Sequence, residues 1–117
     1  MKEVVDFEDF EKLDIRVGTV CKAEVPDWSH WVMKLQVDFG KHLGKRTVFA
    51  GIMKFFKPED LVGSQYPFVV NIKPKKIGPE GDVSEGIMLM AVEKDDETTP
   101  PVLIKISKKV PDGTGVF

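Results

Sequence analysis

Cysteine is nearly absent from this chain. Cys21 stands alone among 117 residues, which excludes an internal disulfide and a cysteine-rich zinc site. Histidine is almost as scarce, and His30 and His42 lack the spacing of a metal-ligand pair. No apolar run approaches the roughly 20 residues a membrane helix needs. Met1 to Asp14 is acidic rather than basic and apolar, so no signal peptide is expected. A reducing cytoplasm, away from membranes, is the location these absences fit. Gly78 and Gly81 sit in a proline-broken turn that opens no helix, unlike a phosphate-cradling glycine loop. Ser84 lacks the context of a nucleophile elbow, and Cys21 is expected on a buried face, where a thiol is inert. Catalysis is therefore not expected, and neither a metal nor a cofactor is called for.

The length suits one domain spanning 1–117. A hydrophobic content of 42 % is enough for a small core, and 31 % charged residues suit a soluble protein. The formal net charge of −2 hides an asymmetry. Residues 1–14 balance to −4, residues 39–79 to +6, and residues 80–117 to −4. An acidic chain with a basic middle can bind a polyanion locally without being adhesive overall. Ordinary scatter of surface lysines accounts for the same numbers.

Asp9 to Leu13 reads as a short helical turn. From Leu13 the sequence alternates: Ile15, Val17, Thr19, Cys21 and Ala23 share one face, and Arg16, Gly18, Val20 and Lys22 share the other. Period two over this length predicts a long strand with its first face buried, bent at Gly18. Pro26-Asp27 starts a turn with Trp28 to Trp31 at its tip. Met33 to Phe39 alternates again as a second strand. Gly40 to Lys45 is a turn, and Arg46 to Ala50 a short third strand. Pro58-Glu59-Asp60-Leu61 has proline and acids where a helix N-terminus favours them. Tyr66 to Ile72 is a fourth strand, Pro74 to Val83 a loop, and Ser84 to Val92 a fifth strand. An acidic loop over Glu93 to Pro101 leads to a last strand from Val102 to Ile106, and Pro111 to Gly115 is a turn. The order is that of an all-β OB-fold, a five-stranded Greek-key barrel with a short helix between strands three and four, plus an added C-terminal strand.

The alternation sets the outward face. Burying Ile15 and Val17 presents Arg16; burying Leu35 and Val37 presents Lys34 and Gln36. Burying Val70 and Ile72 presents Asn71, and burying Ile87 and Leu89 presents Met88. Cations there would meet phosphates, asparagine could read a base edge, and methionine offers an apolar platform. Solvated strand faces, and a core position for Met88, explain the same residues. Lys73, Lys75 and Lys76 form the sharpest local signal, because Pro74 stiffens their segment and no acid lies between Gln65 and Pro79. Trp28 and Trp31 could stack on bases, pack over the barrel end, or form a dimer contact.

In order along the chain, Phe10-Glu11-Lys12-Leu13-Asp14-Ile15-Arg16-Val17-Gly18, Val32 to Gly40, Arg46-Thr47-Val48-Phe49-Ala50-Gly51-Ile52, Pro58 to Gly63, Val69 to Ile77 and Ser84-Glu85-Gly86-Ile87-Met88-Leu89-Met90-Ala91 together resemble the tRNA-binding OB-fold family. That family includes a C-terminal domain of many methionyl-tRNA synthetases, a cytokine-like module of animal synthetases, small free-standing tRNA-binding proteins and the CsaA proteins, described as secretion chaperones. The resemblance implies structure-dependent, largely sequence-independent tRNA binding. By position it assigns contacts to Lys34, Arg46, Asn71, Lys73, Lys75, Lys76, Ser84 and Met88, with Arg16 beside them. It also implies a homodimer built by the segments Val4 to Phe10 and Val102 to Phe117. A further reading is an assembly module that docks onto an aminoacyl-tRNA synthetase and delivers tRNA to it. The chain's end soon after the barrel gives it the look of a free-standing member. The turn Glu24 to Trp31 differs from the usual tRNA-binder loop and is closer to the CsaA branch. Ala50-Gly51 replaces the usual Ser-Gly, and Glu80 and Asp82 dilute the basic loop. On the CsaA reading, Trp28, Trp31, Met88 and Met90 line an apolar groove for unfolded peptides.

Overall fold

The computed structural model describes all 117 residues. A five-residue helix, α1 (Phe7–Glu11), precedes the long strand β1 (Ile15–Glu24). Then come β2 (Met33–Asp38), the helical turn α2 (Gly40–Leu43), β3 (Lys45–Ala50), α3 (Pro58–Leu61) and β4 (Gln65–Val69). Short strands follow: β5 (Lys75–Ile77), β6 (Asp82–Ser84), β7 (Ile87–Met88), β8 (Met90–Ala91) and β9 (Val102–Leu103). The main sheet is antiparallel in the order β3-β2-β1-β4-β7. Its two edges meet. Glu85 N–H donates to the Thr47 carbonyl (2.8 Å), and Thr47 N–H donates to Glu85 Oε1 (3.2 Å). Phe49 N–H donates to Ser84 Oγ (3.0 Å). A nearly closed barrel results, which leaves little free strand edge.

β2 behaves as its alternation predicts, with Met33, Leu35 and Val37 fully buried. Val48, Phe68 and Leu61 join them, and Phe39 meets Phe68 edge-on at 5.3 Å. Each such side chain contributes about 1.5–3 kcal/mol by leaving water. The helix α3 forms between β3 and β4 as expected. Pro58 sits at its start, and Lys57 N–H donates to Asp60 Oδ2 (2.8 Å), so an acid caps the first turn. Leu61 carries this helix into the core. The added strand is also present, as β9 paired with β8.

The first strand departs from expectation. Its register slips between Val20 and Lys22, so Cys21 is the extra residue of a bulge. Before the slip the inner residues are Gly18 and Val20, not Ile15 and Val17. A Cβ on Gly18 would lie 2.5 Å from Val37 Cγ1 and 2.7 Å from Phe39 Cε1, so only glycine lets the barrel close there. After the slip Ala23 packs on the core, as predicted. Cys21 is exposed rather than buried. Val17 is buried too, outside the barrel core. The C-terminal tail pairs beside it: Val17 N–H donates to the Thr114 carbonyl, and Gly113 N–H to the Val17 carbonyl, both at 2.8 Å.

Four other expectations change. The predicted loop after Pro74 is a β-hairpin, with β5 and β6 joined through Gly78 and Gly81. The predicted turn at Gly40 contains the helical turn α2. The predicted fifth strand breaks at Ser84, whose hydroxyl donates to the Gly86 carbonyl (3.2 Å), and the register beyond is inverted. Met88 is therefore in the core at 4 % exposure, while Ile87 is 44 % exposed. Ile72, expected inside, is exposed as well.

Candidate nucleic-acid interface

The β5–β6 hairpin lies along the outer face of β3. Between them is a groove of about 320 Å³. Its floor is apolar: Phe49 from β3, Ile72 after β4, Ile77 from β5 and Ile87 from β7. Lys73 and Lys75 line the same groove with Ser84. Sequence reasoning found the lysines and Ser84 but not the four apolar residues. Phe49 was the available signal, being a large aromatic at an outward position of an alternating strand.

The structure sorts the predicted cations into two groups. Lys34 is held by Asp82 at 3.2 Å and faces Glu24 at 3.9 Å. Arg16 donates through Nε and Nη2 to the Asp14 carboxylate (2.9 and 3.2 Å), and that hydrogen bond raises its already high pKa. Arg46 points along the inner face and donates through Nη1 to the Val70 carbonyl (2.7 Å). Lys73, Lys75 and Lys76 are exposed and belong to none of the ion pairs in the structure. A cation without a protein partner is the one available to a phosphate.

The other predicted contacts are placed as follows. Asn71 is outward, as expected, but its amide ties down the entry to β1. Its Oδ1 accepts from Asp14 N–H (2.8 Å) and its Nδ2 donates to the Lys12 carbonyl (2.6 Å). The Ser84 hydroxyl bridges the barrel edges described above. Met88 does not reach the outer face, and Met90 is half-buried against the core. The groove expected from Trp28, Trp31, Met88 and Met90 together is therefore not formed.

The two tryptophans have separate places. Trp28 packs on Phe49 with ring centres 6.1 Å apart, and it lies against Gly78 at the hairpin turn. Its Nε1 is buried without an acceptor from the protein. Trp31 is 66 % exposed. Between them is a second recess, of about 400 Å³, whose wall includes Val32, Lys76, Ile77 and Gly78. Ile77 lines both the recess and the lysine groove, so the two are neighbours. No cluster of metal-ligating side chains is present, and no helix is long and apolar enough to cross a membrane.

Residues 15–115 match the family described as "Putative tRNA binding domain". The chain is 44 % identical over 115 residues to a methionine–tRNA ligase of Methanothrix thermoacetophila, covering 98 % of this chain and 16 % of that one. It thus spans about a sixth of the length of the curated relatives it matches. A solved MetRS related protein from Pyrococcus horikoshii superimposes with a TM-score of 0.86 at 37 % identity, covering 99 % of this chain and all of that one. The chaperone CsaA of Bacillus anthracis gives a TM-score of 0.83 at 37 % identity, covering 98 % of this chain and all of that one.

Proposed function

This chain belongs to the tRNA-binding domain family, and from that premise we propose that it is a non-catalytic module that docks tRNA on the β5–β6 groove. The carrying observation is the set of three cations without acidic partners, Lys73, Lys75 and Lys76, beside an outward apolar floor. Lysine–phosphate contacts release counterions and position the backbone without reading sequence, so binding depends on RNA shape more than on base identity. The working unit is a homodimer. Helix α1 buries none of its residues, and Val4, Val5, Phe7 and Phe10 stand exposed, as do Val102, Ile104 and Phe117 near the other end.

Salt dependence tests the docking. Three phosphate contacts give a log–log slope of about −2 to −3, so raising salt from about 50 to about 200 mM should weaken tRNA binding roughly 20- to 40-fold. With Lys73→Ala and Lys75→Ala together, one contact remains and the same step should cost only about threefold. Fluorescence anisotropy with bulk tRNA measures both. Wild-type protein that ignores tRNA at low salt, or a double variant with an unchanged slope, would remove the groove from this reading.

The apolar floor of the groove favours a second reading, a chaperone-like surface for unfolded peptides, and the likeness to a protein named as the chaperone CsaA supports it. Burial of apolar surface is not screened by salt. Peptide binding that persists or strengthens at high salt would select this reading over the first.

A further inference from the structure

The recess beside Trp31 is built differently from the lysine groove, although they share Ile77. The backbone under Trp31 is fixed on both sides. Ser29 Oγ accepts from Trp31 N–H (3.3 Å) and Val32 N–H (2.9 Å), and donates to the Val32 carbonyl (2.7 Å). Met53 N–H donates to the Trp31 carbonyl (3.1 Å). A large aromatic is thus held on a locked backbone while its ring stays in water. Such an arrangement has already lost the chain freedom that binding would otherwise remove. Trp28 forms the opposite, packed wall, wedged between Phe49 and Gly78.

The charge around the recess selects the occupant. No carboxylate lines it, Lys76 stands at its wall, and the neighbouring groove brings Lys73 and Lys75. A planar apolar group attached to a chain of negative charges satisfies both halves of this surface. A peptide aromatic satisfies only one. We propose that the recess takes a single unstacked base of the RNA, lying on the Trp31 ring while the adjoining phosphates meet the lysines. The inference rests on the RNA-binding reading above and adds to it a preference for an unpaired nucleotide. Stacking would supply affinity without strong base selectivity, because every base offers a π-face.

The test uses the full chain, a short single-stranded oligoribonucleotide, an RNA duplex of equal charge, and bulk tRNA. Trp31→Ala should weaken binding of the single strand and of tRNA at least about fivefold, the lower end for loss of one base–aromatic stack. The salt slope should stay unchanged, because no phosphate contact is lost, and duplex binding should not move. Trp31→Phe should restore most of the affinity. Lys75→Ala should do the reverse, lowering the slope for single strand and duplex alike. Trp31→Ala that binds single strand and tRNA within twofold of wild type overturns the slot and leaves the docking reading standing. Wild-type protein that binds no RNA overturns both. Loss of affinity for an unfolded peptide with unchanged RNA binding would assign the recess to a peptide side chain instead.

Discussion

The wedge of Trp28 on Gly78 holds the lysine hairpin against the barrel, and it can be measured with two glycines of one turn. Gly78 and Gly81 both have φ near +80°, at +76° and +81°. Alanine at either should therefore lose about 1–2 kcal/mol to backbone strain. Their surroundings differ. A Cβ on Gly78 would overlap the Trp28 ring, whereas a Cβ on Gly81 would meet nothing within 4 Å. Overpacking a filled site costs about 1–3 kcal/mol more. Gly78→Ala should then lose roughly 2–5 kcal/mol in all against about 1–2 for Gly81→Ala. A chain of this size has an unfolding entropy near 0.25 kcal/mol/K, so 1 kcal/mol moves Tm by about 4 °C. The expected drops are about 8–20 °C for Gly78→Ala and about 4–8 °C for Gly81→Ala. Thermal melts followed by circular dichroism and by tryptophan fluorescence supply both values. In a Trp28→Ala background the collision is gone, so Gly78→Ala should cost no more than Gly81→Ala does in wild type. Equal shifts for the two glycines with Trp28 present would refute the wedge.

Two further outcomes follow from other parts of the molecule. Light scattering should give a mass about twice the 13.2 kDa of one chain, and Phe7→Asp with Phe10→Asp should return it to one chain; a wild-type mass of one chain would remove the dimer. Hydrogen bonds from Thr98 and then Thr99 lower the Asp96 pKa to about 2. A carboxyl with a depressed folded pKa stabilises above its unfolded value of about 4 and loses that contribution as pH falls through the folded one. Asp96 lies at the surface, where solvent screens its effect on stability, so the titration is the sharper readout: an NMR midpoint near 2 should rise toward about 4 in Thr98→Ala, and a wild-type midpoint already at the ordinary value would show the bonds do not persist.

Legibility in the sequence followed how many faces each strand buries. β2 has one wet and one dry face, and its alternation gave the side-chain directions correctly. β1 has a barrel on one side and the C-terminal tail on the other at Val17, so period two cannot say which apolar set is inner. The bulge at Cys21 then exchanges the faces halfway along. The run Ile87 to Met90 is apolar at every position and carries no period at all, which is why the sequence leaves Met88 open between an outward and a core position, and the structure puts it in the core. Proline and acids at the start of α3 are local signals, and they held. In the candidate site the lysine triplet was visible because its lack of acidic neighbours is itself local. Pairing of Lys34 with Asp82, and of Trp28 with Gly78, joins residues far apart in sequence, and nothing in either segment alone announces it.

The ion pairs explain how a chain of net charge −2 can present a surface for a polyanion. The acids do not oppose the groove uniformly. Asp82 and Glu24 neutralise Lys34, and Asp14 neutralises Arg16, so these carboxylates act on cations that face elsewhere. Exposed charges farther away than about 8 Å are largely screened at physiological ionic strength. What an approaching phosphate meets is then the local set at Lys73, Lys75 and Lys76. Three contacts make a weak site by the standard of nucleic-acid binders, where six to ten are needed for the steepest salt responses. A homodimer offers a second groove, and engagement of both by one tRNA would turn the second event into an intramolecular one. The salt slope separates the two arrangements, because it counts phosphates per bound complex. About −2 to −3 corresponds to one groove per tRNA, and about twice that to a tRNA bridging the pair. On this reading the lysine hairpin sets the steepness of binding in either case, and a dimer would set how often it is counted.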